Sequence, residues 1–141
     1  MPFPILLAIV VVAITALYLV AFGLLCLAKP QRAGRFLLGF AGTPIRHVAE
    51  LAARVAAGTA FIVASPALPG STIHLVLGWV LVATTAALAL APWRWHQRIA
   101  RQSVPPALRF LPVIGIVSFV AGSLILAAVF GTSASWNGVV S

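Results

Sequence analysis

Four long runs of apolar residues, separated by two arginine-rich stretches and one short neutral turn, lay out the chain. The runs cover about residues 3–28, 46–64, 72–91 and 110–130. Each is long enough to cross roughly 30 Å of hydrocarbon at about 1.5 Å per helical residue. β-branched residues and glycines are frequent, but the runs lack the period-two alternation of barrel strands. In lipid only helices or closed barrels satisfy the backbone. The pattern therefore predicts an all-α integral membrane protein, a four-transmembrane-helix bundle forming a single domain over residues 1–141.

The polar positions orient this plan. Basic loops at residues 29–45 and 92–109 hold Lys29, Arg32, Arg35, Arg94, Arg98, Arg101 and Arg109, with Arg46 just past the first loop. The turn at 65–71 and the tail at 131–141 carry no charged side chain. Positive residues stay in the cytoplasm, so the expected topology is N-out and C-out. The first run has no basic region before it and is longer than a signal's apolar stretch; it reads as a retained span. Arginine outnumbers lysine eight to one in an alanine-rich chain, which points to a bacterial source and hence to the inner (plasma) membrane.

Composition narrows the function classes. The chain is 62% hydrophobic and 7% charged, with a mean hydropathy of +1.15, whereas soluble domains carry roughly 25% charged residues. The formal net charge is +8 and the pI near 12, values that would fit a nucleic-acid binder if the bases formed a soluble face. They lie instead in two clusters between apolar runs, so nucleic acid is not an expected partner. Cys26 is the one cysteine, which rules out an internal disulfide and a cysteine-cluster metal site.

Both loops look interfacial. Trp93, Arg94, Trp95 and Arg98 interleave indoles with guanidinium groups, a pairing suited to the head-group layer. Arg32 and Arg35 with Phe36-Leu37-Leu38 form a candidate short helix lying on the membrane surface. Lys29, Arg32, Arg35, Trp93, Arg94, Trp95, Arg98, Arg101 and Arg109 are thus the candidates for contact with anionic lipid head groups.

The two halves of the chain also resemble each other at an offset of 63 to 64 residues. Leu27-Ala28 and Pro30 correspond to Leu90-Ala91 and Pro92, Arg46 to Arg109, and Ala57-Gly58-Thr59 to Ala121-Gly122-Ser123. Both halves would start and end outside, so the expected repeats are two parallel helical hairpins.

One place breaks the membrane rules. Starting the second span after Arg54 would leave only the fourteen residues from Val55 to Leu68, with Pro66 and Pro69 spoiling the end, too few to cross. Glu50 and Arg54 therefore lie about 6 and 12 Å along the helix from Arg46. Arg46, His47, Glu50 and Arg54 share one helical face. Charges at this depth are expensive and usually pair or face a bundle interior, and Glu50 four residues before Arg54 is the favourable orientation. Three roles remain open for this face. It is an ion pair that orients the helix, a site receiving an acidic group from a partner chain or lipid, or a carrier site for a proton or cation. Flanking guanidinium groups favour the ionised carboxylate, which works against the carrier.

Enzymatic chemistry is not expected. Acid–base or metal catalysis needs several converging ligands or carboxylates, and the chain has one acid and three scattered histidines, His47, His74 and His96. No cofactor and no metal are expected. Ala57 and Gly58 on the second span, and Gly115, Ser118 and Gly122 on the fourth, give small residues at spacings that allow close helix approach. The leading expectation is a non-enzymatic accessory or scaffold subunit acting through helix packing and basic loops, with a membrane-protein partner or a homo-oligomer as its context. The alternative is a small oligomeric transporter or channel using the Glu50/Arg54 face. Thr15, Tyr18, Thr84 and Thr85 are the other polar groups available to line a path.

Overall fold

The structure, a computed structural model, describes residues 1–40, 43–92, 94–95, 98, 102 and 108–137. Among the described residues five α-helices have both ends placed: α1 (Phe3–Ala28), α2 (Pro30–Phe40), α3 (Pro44–Ala64), α4 (Ser71–Leu90) and α5 (Leu111–Asn137). Single 3₁₀ turns extend α3 over Ser65–Ala67 and precede α5 over Leu108–Phe110. Four stretches are long and apolar enough to cross a membrane: Phe3–Ala28, Pro44–Ala67, Ser71–Leu90 and Leu111–Gly131. No strand occurs among the described residues.

Local chemistry sets the helix ends. Pro44 opens α3, where its missing N–H is no loss, and the Thr43 hydroxyl accepts the backbone N–H of Arg46 at 3.4 Å. The helix therefore begins two residues ahead of the apolar run. At its far end the chain turns on Gly70, whose φ of 72° lies in the left-handed region that favours glycine. The Gly70 carbonyl then accepts the Nδ1–H of His74 at 3.1 Å, and the His74 ring stacks on Phe61 at 6.0 Å. A buried histidine is thereby satisfied within the turn.

Glycine governs which helices meet. A Cβ placed on Gly23 would fall 2.7 Å from the Gly115 carbonyl and from the Phe119 nitrogen. One on Gly122 would fall 2.7 Å from the Ala16 carbonyl. These positions press α5 against α1 backbone to backbone. On the other side, Gly58 and Gly78 face each other, and a Cβ on Gly78 would fall 2.7 Å from the Gly58 carbonyl and from Ile62, pressing α4 against α3. In both pairs residue numbers rise along one helix as they fall along the other, so each pair is antiparallel. α1 and α3 join the two pairs, while α4 and α5 scarcely touch. The packing order is α4, α3, α1, α5, open between its two end helices.

The apolar core lies where α1, α3 and α5 meet, built from Ala8, Val12, Ala16, Ala60, Phe61, Ala64, Leu68 and Ile125. A smaller cluster of Cys26, Ala33 and Leu111, backed by Phe22, Leu25 and Leu37, seats α2 against α1 and α5. The short helix that the sequence predicts around Arg32 to Leu38 is α2; Ala33 and Leu37 pack it against α1 and α5, and Arg32 and Arg35 stay exposed.

Candidate functional site

The α3 segment with the misplaced charges starts next to α2. Arg46, in line with Glu50 on the helix, reaches α2: its Nη1 donates to the Gly39 carbonyl at 3.1 Å. The guanidinium ties the start of α3 to the end of α2. His47 is buried, one turn before the pair.

Glu50 and Arg54 meet, as their spacing favours. Nε and Nη2 of Arg54 donate to Glu50 at 3.0 and 2.7 Å, both to the same oxygen, Oε1. This fork on one oxygen differs from the two-oxygen grip of a full bidentate pair. Among the described residues no hydrogen bond uses Arg54 Nη1 or Glu50 Oε2. The side chains are 38% and 19% exposed. Tyr18 of α1 lies within electrostatic range of both. Its ring begins an aromatic ladder, stacked on Phe22 at 6.0 Å, with Phe22 tilted against Phe36 of α2 at 6.1 Å.

The surroundings of the pair change along α3. On the face turned to α1, Ala64, Ala60 and Ala57 are 0, 6 and 9% exposed, whereas Ala53, one turn nearer α2, is exposed. At that end of α3 Glu50, Leu51 and Arg54 are half-buried and His47 is buried.

The other expected site residues fall into three groups. Ala57, Gly58, Gly115 and Gly122 are buried and Ser118 is half-buried, with the three glycines at the helix contacts described above. Gly23 and Gly78, their partners, were not singled out by spacing. A glycine isolated inside an apolar run, where it weakens a helix without gain, is the signal that finds them. Lys29, Arg32, Arg35, Arg94, Trp95, Arg98 and Arg109 are exposed. Trp93 and Arg101 lie outside the described residues, as does His96.

Of the four hydroxyl groups available to line a path, Tyr18 lies beside the Glu50–Arg54 pair and the three threonines bond their own helices. Thr15 donates to the Val11 carbonyl at 2.9 Å, Thr84 to Val80 at 2.7 Å and Thr85 to Leu81 at 2.6 Å. Each is turned back onto its own helix. His47 and His74 lie at opposite ends of α3 and its turn, too far apart to act together.

Among the described residues, fold and site define an all-helical protein with four helices able to cross a membrane and one ion pair set among them. No family model, no curated protein and no solved structure matches the chain.

Proposed function

We propose that the chain is a multi-pass protein of a bacterial inner membrane, N-out and C-out, serving as a non-enzymatic accessory or scaffold subunit. It acts through helix packing and through a basic cytoplasmic face that meets anionic lipid head groups and a membrane-protein partner. The observation that carries this reading is the distribution of charge. Eight of nine basic residues lie in or beside the two loops at one end of the antiparallel helices, with the only acid, Glu50, engaged by Arg54. A surplus of exposed guanidinium groups on one face suits phosphate or carboxylate partners.

The transporter reading loses support from the same geometry. A carrier must release and regain its ion, and Glu50 is held by a guanidinium at 2.7 Å. The threonine hydroxyls are spent on their own helices. The two-hairpin repeat gains support from Gly58 and Gly122, which correspond at an offset of 64. Gly58 packs on Gly78 and Val82 of α4, and Gly122 on Ala16 and Val20 of α1, surfaces related by an offset of 62. The halves differ in that α1 and α3 pack together whereas α4 and α5 scarcely do.

The test is affinity purification from native membranes in mild detergent, with mass spectrometry of stoichiometric companions. A second protein retained by the natural chain and lost with Arg94→Gln, Arg98→Gln and Arg101→Gln combined supports the accessory role. No companion at stoichiometric yield would overturn it.

A further inference from the structure

We propose that the α2-proximal face of α3, carrying Glu50 and Arg54, is an interface with a second copy of this chain. Arg54 Nη1 of each copy would donate to Glu50 Oε2 of the other. The inference does not depend on the accessory role, and it concerns a different surface from the basic loops.

The argument starts from what each group still lacks. Both donors of Arg54 that reach Glu50 end on Oε1, so among the described residues the pair keeps a donor at Nη1 and an acceptor at Oε2. Arg54 stands about 12 Å along α3 from Arg46, well inside an apolar span. There, polar groups left facing lipid are costly and are met by a partner. Glu50 and Arg54 are nonetheless uncovered to 19 and 38%, and Ala53 beside them is exposed.

Charge complementarity then selects the occupant. The uncommitted groups are one donor and one acceptor of opposite charge on a single face, so the surface is complementary to itself. A two-fold axis along the membrane normal puts a copy's pair at the same depth and satisfies both groups in both chains, the reciprocal pattern of an isologous contact. A lipid phosphate would satisfy only Nη1 and would have to enter well below the head-group layer. A partner's carboxylate would also satisfy only Nη1 and would meet Glu50 with like charge. Approach is open on the adjoining face of α3, where Ala49, Ala52, Ala53 and Ala56 are all exposed, and small residues let backbones come close.

The experiment uses the full chain in liposomes, with single-molecule photobleaching over a range of protein dilutions. The natural chain should bleach in two steps down to low density; a monomer at all densities would overturn the proposal. The swapped chain, Glu50→Arg with Arg54→Glu, keeps an internal pair and should dimerise with itself. Mixed with the natural chain it would bring carboxylate to carboxylate and guanidinium to guanidinium. Mixed dimers should therefore fall about tenfold or more below random pairing, since like charges at an interface cost several kcal/mol. Random mixing would overturn the proposal. Should the swapped chain fail to fold, crosslinking decides. In a Cys26→Ala background, Ala53→Cys should crosslink between copies with a short bismaleimide while lipid-facing Val80→Cys on α4 does not. Equal yields at the two positions would overturn it.

Discussion

The two halves of α3 are built from much the same residues and behave differently. From Ala57 to Ala64 the helix presents small and aromatic groups that are buried against α1 and α4, with Gly58 in backbone contact with Gly78. From Arg46 to Ala53 it is as rich in alanine, yet Ala49, Ala52 and Ala53 are exposed. What separates the halves is charge. Close packing within lipid comes from van der Waals contact between small residues, with no hydrophobic force to gather the helices. A carboxylate and a guanidinium on the face need room and polar company, and α1 offers only Tyr18 at that level. Small residues permit close approach; the absence of charge lets it happen.

The sharpest way to break this contrast is to put bulk into the packed half. Gly78→Leu would drive its side chain into the Gly58 carbonyl and Ile62, where even a Cβ falls at 2.7 Å. Where backbone faces backbone the clash has no side chain to yield, so the cost should be about 3 kcal/mol or more. It reads out as loss of folded protein in a detergent unfolding titration. At a dilution that keeps the chain monomeric, Ala53→Leu on the open half should change the same titration by less than about 0.5 kcal/mol, as for an exposed position. Similar losses from the two variants would mean that the halves are not distinct.

Charge comes next in size. Glu50→Leu leaves Arg54 unpaired inside the span and should cost about 2.5–3.5 kcal/mol in the same assay. Adding Arg54→Leu should recover most of that loss, because an apolar pair can replace an ion pair without penalty. No recovery would show that Arg54 is held by something other than Glu50. On α4, against the packed half, His74→Phe keeps the stacking on Phe61 and removes the bond to Gly70, worth about 1 kcal/mol. The smallest effect belongs to the start of the open half. Thr43→Ala removes a cap held at 3.4 Å on an exposed turn, and a loss near 0.5 kcal/mol is expected, visible as faster amide exchange at Arg46.

Much of the fold was legible because membrane helices announce themselves. Long apolar runs locate α1, α3, α4 and α5 to within a few residues at most ends, and i, i+4 spacing brings Glu50 to Arg54. The exception is the end of α5, which runs on to Asn137: the polar residues after Phe130 weaken the apolar pattern without breaking the helix. Packing was less legible, since small residues occur all along an alanine-rich chain and spacing alone cannot say which of them meet. Gly58 pairs with Gly78, and Gly115 with Gly23, only once the helices are placed. Arg46 keeps its place on the wheel in line with Glu50, and its bond to the Gly39 carbonyl of α2 is a contact that spacing along one helix does not reveal. The exposed alanines beside the pair carry no sequence signal, because alanine is equally at home in contact and in lipid.

The contrast between the halves can be measured directly by the reactivity of single cysteines at positions 53, 57, 60 and 64 towards a lipid-soluble maleimide, in liposomes, with Cys26→Ala as background. At high protein dilution the rate should fall steeply from position 53 to position 64. At higher protein density the reactivity at 53 alone should drop as a second copy covers it. Uniform protection at all four positions at every dilution would show that α1 and α3 are packed along their whole length, and would contradict the account.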